Sequence, residues 1–135
     1  MRLIEVVTDL VAGEHATGAR RADPDDFYFD GHFPGEPIVP AIILVEMVAQ
    51  VGGLAAAWLA DGVAVEPIRL RVAGLGPFKF PGAARPGAWL EAKATVSARL
   101  GGMFKIEGTV TADGRLVASG SVTLARAPAT DAAPA

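Results

Sequence analysis

The sequence has no cysteine and few aromatic residues, with six phenylalanines, two tryptophans and one tyrosine. Without cysteine the protein has no disulfide, no thiolate nucleophile and no sulfur-rich zinc site. Positive charge is also scarce, because 12 Lys and Arg stand against 15 Asp and Glu, for a formal net charge of −3. A protein that binds duplex nucleic acid needs a dense basic surface, so we expect no nucleic-acid partner.

What is present indicates one compact domain. The 135 residues are 51% hydrophobic, which is enough for a core of ordinary size. No large apolar residue follows Arg126, so we assign the domain to residues 1–126 and expect a disordered tail over residues 127–135. The N-terminus reaches Glu5 before any long apolar run and does not resemble a signal peptide, so we expect a cytoplasmic protein.

An apolar run over residues 38–60 is long enough, as a helix, to cross a bilayer. Glu46 lies inside it, where a carboxylate costs roughly 2.5–3.5 kcal/mol, and no Lys or Arg occurs between Ala22 and Ile68. We therefore predict a buried helix from Ala41 to about Ala60 and no membrane span. The pair Gly52-Gly53 weakens its middle, which is tolerable only if packing holds the helix or another backbone comes close.

Segments rich in β-branched residues predict strands on both sides of this helix. The predicted strands cover residues 3–11, 15–22, 65–74, 88–100, 103–112 and 115–125. Gly101-Gly102 and Asp113-Gly114 separate the last three, which should form a meander because such pairs suit tight hairpins. We expect an α+β fold in which one antiparallel sheet wraps around one helix. One small sheet cannot cover every side of an apolar helix, so a homodimer is the expected assembly.

Two ionisable side chains near the helix are candidate catalytic residues. Apolar neighbours surround Glu46 on every helical face, and burial would favour its neutral form, which can donate a proton. The alternative is a structural Glu that pairs with a base or with backbone amides. His32 lies in a loop rich in aromatics, Gly and Pro, although a histidine beside Phe33 is often a packing residue. We interpret His15, in a predicted strand, as structural.

The start of the helix supplies a third group. Pro40 suits the first helical position and leaves the amide N–H groups that follow without partners. These amides, beginning with that of Ala41, would stabilise negative charge on a carbonyl oxygen. A neutral imidazole could then remove the α-proton of a thioester while a carboxylic acid protonates the leaving β-hydroxyl. Base, acid and enolate stabiliser together are what β-elimination of water needs.

The longest motif runs from Gly31 to Pro40 as Gly-His-Phe-Pro-Gly-x-Pro-x-x-Pro and continues from Glu46 to Gln50 as Glu-x-x-Ala-Gln. It closely resembles the 3-hydroxyacyl-[acyl carrier protein] dehydratases of FabZ type, whose spacing agrees with the fourteen-residue step from His32 to Glu46. The resemblance implies a hot-dog fold and a dimer, or a trimer of such dimers, whose active sites each take His from one subunit and Glu from the other. It implies an acyl carrier protein or coenzyme A thioester as substrate, and neither a metal nor an organic cofactor.

On this resemblance His32 is the base and Glu46 the acid that convert a (3R)-3-hydroxyacyl thioester into a trans-2-enoyl thioester. It further implies substrate-binding roles for Phe33, Gly35, Pro40, Ala41, Ile42 and Gln50. Glu rather than Asp at position 46 favours dehydration without isomerisation. Relatives commonly have Gly where Ala41 stands, and they usually carry a helix and an apolar segment ahead of the first strand, so we expect a reshaped acyl tunnel with function retained.

Two other functions stay open. A hot-dog thioesterase would use a carboxylate to direct water at the thioester carbonyl, but it does not account for the motif around His32. A non-catalytic acyl-binding or scaffold subunit would keep the dimer surface and lose turnover. Arg69, Arg71, Lys79 and Arg85 are close in sequence and form a candidate docking surface for an acidic carrier protein, the alternative being solvated charges on a strand.

Overall fold

The computed structural model describes residues 2–29, 37–56 and 70–126, within which six strands and one α-helix form an α+β fold. The strands are β1 (Val6–Val11), β2 (His15–Arg21), β3 (Leu70–Lys79), β4 (Trp89–Leu100), β5 (Met103–Ala112) and β6 (Arg115–Arg126). The helix α1 spans Ala41–Ala56, and a short 3-10 helix covers Phe27–Phe29. These elements follow one another in the predicted order.

All six strands join one antiparallel sheet in the spatial order β1-β2-β4-β5-β6-β3. The last three strands pair as neighbours, so the predicted meander is confirmed. Asp113 and Gly114, with φ angles of 49° and 85°, connect β5 to β6 as the tight two-residue turn that the sequence predicts. Strands β1 and β3 are the two edges, and within the described residues they do not pair with each other.

The sheet wraps around α1, which supplies the centre of the hydrophobic core. Met47, Val48 and Val51 of the helix have no exposed surface. They belong to one cluster with Leu90 of β4 and Ile106 of β5, which are equally buried. The predicted hot-dog arrangement, one antiparallel sheet around one helix, is confirmed.

The close approach expected at the double glycine occurs at Gly52. A Cβ atom on Gly52 would lie 2.7 Å from Ile106 Cγ2, which is closer than packed carbon atoms come. Gly108 on β5 faces the helix in the same way, since its Cβ would lie 2.5 Å from Val48 Cγ1. Because glycine has no side chain, Gly52 on α1 and Gly108 on β5 let the helix pack close to the sheet.

Strand β3 runs to Lys79, past the predicted end at Gly74. Its register with β6 shifts between Leu75 and Phe78, so a bulge accommodates Pro77 inside the strand. An edge strand tolerates proline because one side of it needs no amide donor.

Parts of three predictions lie outside the described residues, namely the end of the helix over residues 57–60, the start of the third strand over residues 65–69 and the tail over residues 127–135. In the ranges that are described, no helix is long and apolar enough to cross a membrane. Where the structure describes the apolar run, its helical residues form α1, which lies in the hydrophobic core.

Candidate active site

Glu46 and Gln50 lie one turn apart on the same face of α1. Gln50 Nε2 donates a hydrogen bond to Glu46 Oε1 at 3.3 Å, and the backbone N–H of Leu3 donates to Gln50 Oε1 at 2.8 Å. An amide oxygen can only accept, so the bond from Leu3 turns the Gln50 NH2 group towards the carboxylate. Gln50 thus orients Glu46 from a fixed point of the backbone.

The carboxylate of Glu46 is only half-buried, whereas its apolar neighbours predicted an enclosed side chain. The next two residues, Met47 and Val48, face the sheet and are fully buried. Glu46 instead faces the gap between the two edges of the sheet. The physical reason for the difference is that, among the described residues, a single sheet whose two edge strands do not pair with each other covers only part of the helix, even when the sequence is apolar on all sides.

This gap is a cleft of about 930 Å³ between α1 and the two edge strands. It is lined by Arg2, Ile4, Glu5, Val6, Val7, Glu46, Ala49, Gln50, Gly53, Leu54, Leu70, Arg71, Val72 and Leu124. Its size falls within the roughly 300–1,000 Å³ that small-molecule sites occupy. Most of the lining side chains are apolar, so the cleft suits a ligand with a hydrocarbon part and one polar group near Glu46.

The helix begins at Ala41, as predicted, but Pro40 does not occupy its first position. The carbonyl of Pro40 accepts hydrogen bonds from the N–H groups of Ile43 at 3.0 Å and Leu44 at 3.4 Å, so Pro40 precedes the helix as its cap and does not occupy the first helical position. The N–H groups of Ala41 and Ile42 come before the first intrahelical bond, on an exposed end of the helix. These two residues and Pro40 are not among the described residues that line the cleft, although all three are predicted substrate-binding residues.

Residues 30–36 are not described, so the predicted base His32 and the predicted substrate-binding residues Phe33 and Gly35 lie outside the described part of the chain. Of the predicted site residues that are described, Glu46 and Gln50 come together in the cleft. After residues 30–36, the N–H of Val39 donates a hydrogen bond to the carbonyl of Ala84 at 2.8 Å. This bond joins the residues that lead into α1 to the loop before β4.

Just before residues 30–36, a largely buried polar network centres on Asp26. Arg20 Nη2 contacts both carboxylate oxygens of Asp26 at 2.9 Å, and the hydroxyl of Tyr28 donates to Asp26 Oδ2 at 2.6 Å. Burial, followed by the hydrogen bond to Asp26 and its negative charge, raises the pKa of the Tyr28 phenol. Sequence reasoning missed this network, and the available signal was an arginine inside a strand of small, buried residues.

The second histidine is not part of the cleft. His15 Nδ1 lies 2.9 Å from Asp9 Oδ2 across the β1–β2 hairpin, and both side chains are about half exposed, at 44% and 51%. This geometry supports the structural interpretation of His15. It also makes the residue a suitable comparison for His32 in experiments.

The described basic residues near β3 are spread from the start of the strand to beyond its end. Arg71 lies at the start of β3 and lines the cleft, while Lys79 is the last residue of the strand, with Arg85 beyond it. Eight residues of strand separate the two ends by roughly 25 Å. The docking surface for an acidic carrier protein stays a prediction, and Arg69 lies outside the described residues.

Within residues 2–29, 37–56 and 70–126, no three His, Asp or Glu side chains come together as metal ligands. What the described site offers is one oriented carboxylate at the wall of a largely apolar cleft. Such a group can exchange a proton with a hydroxyl of a bound ligand or direct a water molecule.

Solved structures share the fold at low sequence identity. The dehydratase heterocomplex ApeI:P from Xenorhabdus doucetiae is similar with a TM-score of 0.76 and 15% identity, covering 97% of this chain and 86% of that one. A hypothetical thioesterase with coenzyme A from Streptococcus pneumoniae is similar with a TM-score of 0.62 and 12% identity, covering 91% and 88%. Both likenesses concern the fold alone.

Sequence comparison is more specific. A FabA-like domain is matched over residues 1–121. The chain is 31% identical over 123 residues to the 3-hydroxyacyl-[acyl-carrier-protein] dehydratase FabZ of Nitratidesulfovibrio vulgaris, covering 91% of this chain and 79% of the relative. It is 34% identical over 117 residues to the FabZ of Campylobacter jejuni, covering 86% and 80%. The domain match and these relatives agree with the motif and the fold, and the chain belongs to the FabA-like family.

Proposed function

We propose that this protein is a dehydratase that removes water from (3R)-3-hydroxyacyl thioesters to give trans-2-enoyl thioesters in fatty-acid or related lipid or polyketide biosynthesis. The observation that carries the proposal is the Glu46 carboxylate, oriented by Gln50 at the wall of a largely apolar cleft. FabZ relatives that are 31% and 34% identical are named for this reaction on carrier-linked substrates. We extend the acyl carrier protein substrate and a cytoplasmic location to this chain on that similarity.

In the proposed reaction His32 takes the α-proton of the substrate. The electron pair of that C–H bond forms the new carbon–carbon double bond, and negative charge that develops on the thioester oxygen is stabilised by the amides of Ala41 and Ile42 of the chain that supplies His32. The bond from the β-carbon to its hydroxyl breaks as Glu46 donates a proton, and the hydroxyl leaves as water. The imidazolium and the carboxylate then exchange protons with solvent and return to their starting forms.

We also propose a homodimer in which His32 of one chain serves the cleft that holds Glu46 of the other. The support is the unpartnered apolar surface beside the cleft, where Val6, Val7 and Val72 are 41–43% exposed on the two sheet edges. Leu75 on the edge strand β3 is 61% exposed, and Ile42 at the start of α1 is 65% exposed. Such a surface on a small domain is typical of one that a second copy covers.

The test is an assay with purified protein and 3-hydroxybutyryl and longer thioesters, following the absorbance of the enoyl product. The variants His32→Ala and Glu46→Gln should each lower turnover by about 10²–10⁴-fold, the usual contribution of general acid–base groups. His15→Ala and Glu107→Gln are matched controls on the hairpin and on an exposed strand position, and they should keep turnover within about twofold.

The products separate the competing functions. Release of free thiol without enoyl formation would identify a thioesterase and reject the proposal. Binding of the thioester without either product would identify a non-catalytic acyl-binding subunit and reject it equally. Full activity in the Glu46→Gln variant would remove the observation on which the proposal depends.

A further inference from the structure

The two adjacent glycines of α1 face different surroundings. Gly52 lies against Ile106 of β5, where it has no room for a side chain. Gly53 lines the cleft instead. Close helix packing therefore accounts for the first glycine, whereas the second borders the cleft.

Gly53 lies on the same helical face as the candidate acid. Positions 49 and 50 lie three and four residues after Glu46, and position 53 lies three residues after Gln50, so all four stack along one side of the helix. Glu46, Ala49, Gln50 and Gly53 all line the cleft, and Ala49 and Gly53 have the smallest groups among them, a methyl group and a hydrogen. The helix surface is lowest at Gly53.

The walls around this low point are mainly apolar, although the charged residues Arg2, Glu5 and Arg71 also line the cleft. Val6 and Val7 of β1 line one side of the cleft, and Leu70 and Val72 of β3 line the other. Leu54 and Leu124 add further hydrocarbon surface. A groove with a glycine floor and branched aliphatic walls fits an unbranched hydrocarbon chain.

The length of the groove can be compared with that of an acyl chain. The seven residue steps from Glu46 to Gly53 rise by about 10 Å along the helix, roughly the length of eight extended methylene groups. With the β-carbon of the substrate at Glu46, a twelve-carbon acyl chain reaches Gly53 and a four-carbon chain does not.

We propose that Gly53, together with Ala49, determines the acyl chain length that the cleft accepts, and that the natural substrates are medium-chain or longer 3-hydroxyacyl thioesters. This inference rests on the proposed dehydratase function, which fixes the reacting end of the chain at Glu46. A side chain at position 53 would extend over the floor of the groove and shorten the space beyond Ala49.

The test compares Gly53→Ala, Gly53→Leu and Ala49→Leu on 3-hydroxybutyryl and 3-hydroxydodecanoyl thioesters. We expect Gly53→Leu to lower kcat/KM for the twelve-carbon substrate by about 10–200-fold while the four-carbon substrate changes by less than about threefold. Gly53→Ala should shift the same ratio by a smaller factor, and it should not weaken the helix because alanine has the higher helix propensity. Ala49→Leu should act in the same direction as Gly53→Leu.

Gly52→Ala is the matched control, because it makes the same substitution one residue away on a different side of the helix. It should leave the ratio of the two kcat/KM values unchanged. Equal losses on both substrates in the Gly53 and Ala49 variants, or no loss on either, would overturn the proposal. Thermal unfolding of each variant identifies losses that come from folding.

A binding measurement separates this proposal from the proposed function. Dodecanoyl-pantetheine amide, which cannot be dehydrated, is titrated into each variant by calorimetry against butanoyl-pantetheine amide. Suppose that the wild-type protein shows no dehydration but does bind the long amide, and that Gly53→Leu abolishes this binding. The proposed dehydratase function is then rejected, and the proposed role of Gly53 in binding the acyl chain is supported. If dehydration occurs but the ratio of the two kcat/KM values does not depend on position 53, the proposed role of Gly53 is rejected and the proposed dehydratase function is supported.

Discussion

At the scale of single residues, the orientation of the candidate acid depends on one neutral amide. Gln50 accepts from the backbone of Leu3 and donates to Glu46, so the carboxylate is held through a group that carries no charge. The carboxylate of Glu46 therefore accepts a hydrogen bond from a side chain that is itself fixed to the backbone of Leu3.

The Tyr28 phenol gives a prediction at the same scale. Its pKa is raised above the ordinary value of 10.0, first by burial and then by Asp26. The folded protein therefore holds this proton where the unfolded chain releases it, so the resulting stability is complete below pH 10 and is lost as the pH rises towards the folded value. Since Tyr28 is the only tyrosine, the tyrosinate absorbance reports it alone.

We expect the urea-unfolded protein to be half ionised near the ordinary tyrosine value and the folded protein to show almost no tyrosinate at that pH. Asp26→Asn should move the folded titration back towards the unfolded one, because it removes the negative charge. Identical titrations of the folded and unfolded protein would contradict the network around Asp26.

The site could be predicted from the sequence only in part. The motif identifies Glu46 and Gln50, and the structure brings them together in the cleft. The openness of the site could not be predicted, because the exposure of Glu46 depends on where the two sheet edges end in space. The Arg20–Asp26 ion pair was missed for a similar reason, since it joins a strand to a loop through side-chain geometry alone.

At the scale of elements, the packing of α1 on β5 depends on Gly52. Gly52→Ala would gain about 1 kcal/mol of helix propensity but would place a methyl group against Ile106, and overpacking of this kind costs about 1–3 kcal/mol. We expect a net loss in the free energy of unfolding, measured by urea denaturation. Ile106→Ala removes the nearest atoms, so the substitution at position 52 should become less harmful in that background. A Gly52→Ala protein more stable than the wild type would contradict the close approach.

The order and type of the elements were predictable because each signal is local. Apolar residues on every side predict the buried helix, and Asp113-Gly114 predicts the hairpin that is found with both residues at positive φ. The extent of β3 was not predictable in this way. Pro77 stays inside the strand only because β3 is an edge and a bulge takes up the extra residue, and both facts depend on long-range pairing with β6.

At the scale of the whole molecule, the proposed sharing of active sites predicts complementation. His32→Ala and Glu46→Gln chains are inactive alone under the proposed mechanism. When the two are co-expressed, half of a random dimer population carries both variants, and one of its two sites has both functional residues. We expect recovery of about a quarter of wild-type turnover. Absence of any recovery, with mixed dimers confirmed by two affinity tags, would indicate that each site is built within one chain.

The hydrogen bond from Leu3 to Gln50 also bears on how the protein is handled. Leu3 is almost fully buried and Arg2 lines the cleft, so these two residues belong to the same structure as the candidate acid. A purification tag fused directly ahead of Arg2 would crowd the cleft and pull on the amide that orients Glu46. Kinetic constants should therefore be measured on protein from which such a fusion has been cleaved.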